Sequence, residues 1–151
     1  MSSTLPKQER KVLDKLVRTI LKHYHFKHPP VPIETILQQP PEDLLQAVDI
    51  SDLSMVFGVS EHRYEYRMAM ARLLYREICR KKYETGGESF PDHADASRYF
   101  AGALLIPEKW IIRATRWPFV TLQELSENYQ VPEYVMASRL VQLDRQVRGM
   151  Q

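Results

Sequence analysis

Tyr66-Arg67-Met68-Ala69-Met70-Ala71-Arg72-Leu73-Leu74-Tyr75-Arg76-Glu77-Ile78-Cys79, near the middle of the 151-residue chain, is the stretch whose reading decides the fold. Met68, Ala71, Tyr75, Ile78 and Cys79 recur at helical spacing, and Met70, Leu73 and Leu74 widen that face. The period predicts a helix from Arg67 to about Tyr83, apolar over so much of its circumference that it must be largely buried. Arg72, Arg76 and Arg80 form a separate i, i+4, i+8 stripe on it.

Toward the N-terminus, Val12, Leu13, Leu16, Val17, Ile20, Leu21 and Tyr24 predict an amphipathic helix from about Lys7 to Tyr24, with Pro6 suited to its first turn. Pro29-Pro30-Val31-Pro32 stops it, because proline lacks the amide proton and restricts the residue before it. Ile33 to Leu37 follows as a short helix closed by Pro40-Pro41. Residues 7–41 thus make one helical unit. Over 42–66 the apolar residues become dense and partly alternating, with turn formers at Ile50-Ser51-Asp52-Leu53. One or two short antiparallel strands are expected there, lying against the helices.

Toward the C-terminus, Thr85 to Pro91 is a turn-rich linker. Asp92 is a suitable N-cap for a helix through about Ile106, ended by Pro107, so 92–107 is a second core helix. Its Ala and Gly residues predict close packing on the central helix. Residues 108–151 hold the remaining helices. Glu108 to Thr115 is short, and Thr121-Leu122-Gln123-Glu124 has capping-box spacing. Tyr129-Gln130-Val131-Pro132 is a turn into a last helix carrying Val135, Met136, Leu140, Val141 and Leu143. The last two helices have a helix-turn-helix pattern. They fit a hairpin that completes the core, or a DNA-binding pair with Arg139 and Arg145 as its contacts.

The fold class expected is α+β, mostly α, in a single domain over 1–151, with a small antiparallel sheet. Hydrophobic residues are 44% and charged residues 26%, which excludes wholesale disorder. A net charge of +2 does not make the concentrated basic surface of a dedicated nucleic-acid binder. No run approaches the roughly 18 apolar residues of a bilayer span, and the N-terminus lacks a signal-peptide core. A cytoplasmic prokaryotic protein without a membrane partner is the expectation. Cys79, the single cysteine, reads as a small core residue. His23, His25 and His28 invite a metal reading, but the proline-ended segment makes a poor rigid cage, and structural or solvated histidines are expected.

In its order of elements the chain resembles the ImmA/IrrE family of metallopeptidases, over about Leu16 to Leu143. Phe100-Ala101-Gly102-Ala103-Leu104-Leu105-Ile106-Pro107 is similar to that family's Phe-Ala-Ala-x-Leu-Leu-Met-Pro. Arg67-Met68-Ala69-Met70-Ala71 is similar to the Arg-Phe-Thr-Leu-Ala before its zinc motif, and Val120 to Leu143 to its closing segment. The resemblance implies a zincin-like helical domain. It also implies zinc held by His-Glu-x-x-His, in which histidines at i and i+4 share a helix face and the Glu serves as general base.

The chain departs from the family at those positions, which here are Arg72, Leu73 and Arg76. Arginine is a permanent cation and cannot ligate zinc, and leucine cannot accept a proton. The acidic third ligand falls at Ala96; Asp95 is one residue off, about 100° round a helix. His62 and His93 are the nearest other donors. No zinc or other cofactor is therefore expected, and no catalytic residue is assigned.

The leading expectation is a pseudo-peptidase that binds a protein, by family analogy a helix-turn-helix repressor in stress or mobile-element regulation. The alternatives are a DNA-associated regulator and a peptidase with relocated ligands. Oligomeric state stays open. With zinc gone, Arg72 or Arg76 is expected to pair with Asp95 or Asp92 across the two helices. An anion groove on Arg72, Arg76 and Arg80 is the alternative.

Overall fold

The computed structural model describes residues 5–48, 63–86 and 90–149. They form α1 (Lys7–His23), α2 (Ile33–Gln38), α3 (Glu65–Thr85), α4 (Ala94–Leu105), α5 (Glu108–Ala114), α6 (Leu122–Tyr129) and α7 (Glu133–Gly149). In α1 the buried residues Leu13, Leu16, Val17 and Ile20 keep the expected period, and the helix ends where Tyr24 turns extended. Ile33, Ile36 and Leu37 bury one side of α2.

The predicted sheet over 42–66 falls mostly on residues 49–62, outside the described residues. Its described flanks are not strands. The Pro41 carbonyl accepts the N–H groups of both Leu44 and Leu45, at 2.9 and 3.2 Å, which winds the chain into a tight turn. Leu44 and Leu45 are buried as neighbours, not alternately. Val48 N–H donates to Leu37 O at 2.9 Å and pins this segment to the end of α2. On the other flank, α3 starts at Glu65, because Tyr64 adopts left-handed backbone (φ 70°) just before it. Among the described residues there is no strand.

The central helix, α3, runs two residues longer at each end than its apolar period predicts. Gly86, at φ 72°, ends it as a left-handed cap whose N–H turns back to Lys82 and Tyr83. Arg67, Met68, Met70, Ala71, Leu74, Tyr75, Ile78 and Cys79 are buried on it.

The hub of the packing, however, is α4. It lies against α3 and α1, and α7 also reaches it. Ala96, Tyr99, Phe100 and every residue from there to Leu105 are buried, so neighbours surround it on several sides. Its N-cap is His93, not Asp92: the His93 ring Nδ1 accepts the Ala96 N–H at 3.3 Å. A Cβ added at Gly102 would meet nothing within 4 Å, so close approach does not depend on that glycine.

The two last helices pack on each other. Thr121 caps α6 by accepting the Glu124 N–H at 3.1 Å. Gln130, in left-handed backbone at φ 55°, makes the turn into α7. Leu125, Tyr129, Val131, Val135, Met136 and Leu143 from this pair are all buried. The pair is thus built into the core as a hairpin. Among the described residues, no helix is long and apolar enough to cross a membrane.

Candidate functional site

Arg72, Leu73, Arg76 and Ala96 lie on α3 and α4, which pack together. Arg72 and Arg76 are exposed on α3, Leu73 is half-buried beside them, and Ala96 is fully buried on α4. Arg72 Nε donates to the Ser97 hydroxyl at 3.2 Å. Position 72 thus reaches the residue next to position 96, and a hydrogen bond joins the two helices there. The expected ion pair is not what joins them. Among the described residues no ion pair links Arg72 or Arg76 to Asp92 or Asp95, and Asp95 pairs with Arg98 of its own helix at 3.6 Å. The reason is the helix phase: Asp95 and Arg98, at i and i+3, share a face, and Ser97 is the residue that presents an acceptor to Arg72.

The anion stripe is likewise broken. Arg80 is occupied by Glu77 at 2.6 Å and Glu84 at 3.1 Å on its own helix. These carboxylates raise its pKa, first through the Glu77 hydrogen bond. Arg72 and Arg76 are left as the accessible cations of the stripe.

An open cleft of about 340 Å³ lies between the start of α3 and the α6–α7 pair, lined by Arg63, Tyr64, Glu65, Ser126, Glu133 and Tyr134, among others. Tyr134 O–H donates to the Glu65 carboxylate at 2.8 Å. Burial pushes the Tyr134 phenol pKa up, the Glu65 hydrogen bond and charge add to that, and the Arg72 cation opposes it. Arg63 faces Glu127 at 3.8 Å across exposed surface, an interaction of small worth. The cleft is lined by side chains of both charges, and the Arg72 cation is close enough to act on the Tyr134 phenol in its wall.

The residues here do not fit zinc. Arg72, Leu73, Arg76 and Ala96 offer no donor, and among the described residues no group of three or more His, Cys, Asp or Glu could hold a metal. His93 has both ring nitrogens engaged, Nδ1 with the Ala96 N–H and Nε2 with Glu9 at 3.1 Å. His62 lies outside the described residues. His23, His25 and His28 are exposed; His23 meets the edge of Tyr24, and His28 Nδ1 lies 3.3 Å from Pro29 O. Burial pushes the Cys79 thiol pKa up, with the neighbouring Tyr75 opposing, which agrees with a core cysteine.

Two arginines have roles that periodicity did not disclose. Arg67 is 3% exposed. Its Nε donates to Gln130 O at 2.9 Å and its Nη2 to Val31 O at 2.6 Å, while Nη1 lies 3.9 Å from the Glu34 carboxylate. One guanidinium thereby ties α3 to the proline segment before α2 and to the turn between α6 and α7. Burial lowers its pKa, and Glu34 partly offsets that. The signal in the sequence was an arginine at the edge of an apolar run, but nothing there named its partners.

Arg139 is the second. As a DNA contact it is corrected: it is 4% exposed, its Nε donates to Ile106 O at 3.1 Å, and Nη1 is enclosed with no hydrogen-bond partner among the described residues. Tyr99, which donates to Asp14 at 2.9 Å, stands beside it. The core face of α7 takes this residue because position 139 falls in phase with Val135, Met136 and Leu143. Arg145 lies beyond the residues whose side chains are described.

Comparison of the chain with protein-family models, curated proteins and solved structures returns no match.

Proposed function

We propose that this chain is a non-catalytic, protein-binding member of an ImmA/IrrE-like, zincin-like fold, acting inside a prokaryotic cell. The observation that carries the proposal is the substitution at the α3–α4 contact. Where an active relative would hold zinc between the helices, Arg72 bonds to Ser97 and Ala96 is closed over. The helices keep a cross-link there, made by a side chain that has no use in metal hydrolysis. The cleft with Glu65 and Tyr134 on its wall is the surface proposed to receive a protein segment, such as a piece of a transcriptional repressor, without cutting it.

The test combines purified chain with candidate helix-turn-helix repressors, monitored by calorimetry and gel electrophoresis. The expected result is a complex that forms without added metal, leaves the repressor intact, and weakens in Arg72→Glu and Tyr134→Ala. Stoichiometric zinc in the purified protein together with metal-dependent cleavage would overturn the proposal.

A further inference from the structure

We infer that the turn at residues 117–120, together with the exposed face of α5, is a docking site for an anionic lipid surface. From Lys109 to Gln123 the chain carries Lys109, Arg113 and Arg116 and no acidic residue. Lys109, Ile112, Arg113 and Arg116 stand at i, i+3, i+4 and i+7, which is one helix face. The helical path continues past α5 through the Thr115 N–H to Ile111 O bond, and all four side chains are exposed. The opposite side of the segment serves the core, with Ile111 buried and Trp110, Ala114 and Val120 packed against it.

The apex follows. Val120 N–H donates to Trp117 O at 3.4 Å, closing a turn with Pro118 and Phe119 at its two central positions. Trp117 is 74% exposed and Phe119 89%, with Ile112 and Leu122 exposed on either side. The segment therefore divides its apolar residues. One set is spent on the core, and a second, aromatic set is held out on a convex corner behind which three cations lie.

The shape and size decide the occupant. The two aromatics offer on the order of 350 Å² of outward surface, and Ile112 and Leu122 beside them are only 39% and 38% exposed, so a second copy would have to find most of the roughly 800 Å² per partner of a stable interface on polar surface. A nucleic-acid strand could stack on Trp117 and Phe119, but a chain of net charge +2 has no continuous basic track for its backbone to follow. A lipid surface demands no matching shape. Tryptophan and phenylalanine enter the boundary below the headgroups, while arginine and lysine meet lipid phosphates from the shoulder. The expectation of no membrane partner rested on the lack of a spanning run, which surface docking does not require.

The experiment sediments the full chain with vesicles of equimolar phosphatidylcholine and phosphatidylglycerol, and with phosphatidylcholine alone, at low and high salt. Binding to the anionic vesicles, weakened by salt and accompanied by a blue shift of tryptophan emission, is the expected result. Trp117→Ala/Phe119→Ser should abolish it, and Arg113→Gln/Arg116→Gln should weaken it by about 10-fold or more. These positions are exposed, so circular dichroism and the thermal midpoint should stay at wild-type values and separate loss of docking from loss of fold. The inference is overturned if wild-type chain sediments with neither vesicle, or if the folded aromatic double variant sediments as wild type does. It is equally overturned if the corner instead drives dimerisation or binds a single-stranded oligonucleotide while vesicles are ignored.

Discussion

Arg67→Met tests the largest energetic claim made for a single side chain. Methionine keeps an unbranched apolar stem on α3 but removes both donors, so Val31 O and Gln130 O lose the hydrogen bonds recorded at 2.6 and 2.9 Å. A buried carbonyl stranded in this way costs about 1–3 kcal/mol. Val31 is fully buried and belongs near the upper end, whereas Gln130 is half-buried and water can serve part of its loss. Removing the charge also removes the cost of burying it, which offsets part of the sum. The net expectation is a loss of about 3 kcal/mol, or roughly 6–12 °C in thermal midpoint for a chain of this size. Urea unfolding followed by circular dichroism reads it as a lower midpoint at unchanged slope.

Glu34→Gln supplies the control. That carboxylate is 41% exposed and 3.9 Å from Arg67, so its removal should cost no more than about 0.5 kcal/mol. Arg67→Lys should fall between the two, because one ammonium cannot reproduce the fork that meets two carbonyls on different segments. Wild-type stability in Arg67→Met, or a Glu34→Gln loss as large as that of Arg67→Met, would refute the reasoning. The second outcome would make the ion pair the dominant partner.

Arg139→Met should lower stability by about 1–3 kcal/mol through the stranded Ile106 carbonyl, and a variant that kept its urea midpoint but lost duplex-DNA binding would contradict the buried role given to Arg139. Gly102→Ala should raise stability by about 0.5–1 kcal/mol, since a helix-interior glycine is replaced where a Cβ meets nothing within 4 Å; a lower urea midpoint would show otherwise. Burial pushes the Tyr129 phenol up to about 12, with Arg113 opposing, against an ordinary value near 10. The raised value means the neutral phenol is favoured by folding, so its stability is fully present below pH 10 and is lost as pH rises from there through 12. Alkaline unfolding followed at the tyrosinate absorbance should therefore be delayed in Tyr129→Phe relative to wild type.

The helices were legible in the sequence because each carries its own signal. The apolar period of α1, the proline stops around α2, the Thr121–Glu124 cap and the glycine after α3 act within a few residues of the structure they produce. The α6–α7 hairpin was legible on the same terms. That Arg72, Leu73, Arg76 and Ala96 offer zinc no donor was legible, since that is a matter of chemistry at named positions and needs no coordinates. The partners of those residues were not legible. A side chain's phase on its own helix can be counted, but not which residue a neighbouring helix turns toward it. Arg72 accordingly meets Ser97, and Asp95 turns to Arg98.

Burial of charge escaped the sequence for the same reason. Arg67 stood at the start of an apolar run and Arg139 was a candidate DNA contact, yet carbonyls from distant segments, Val31, Gln130 and Ile106, make both tolerable inside. The sheet expected within 42–66 falls mostly outside the described residues, and at 42–48 the chain turns instead, because the Pro41 carbonyl captures two successive amides. Composition and period by themselves determined that this chain is a mostly helical domain. Only the tertiary structure decided that α4 is its hub, that one arginine binds three segments together, and that Trp117 and Phe119 stay outside. Those outcomes depend on which surfaces meet, a property of the assembled helices and not of any one of them.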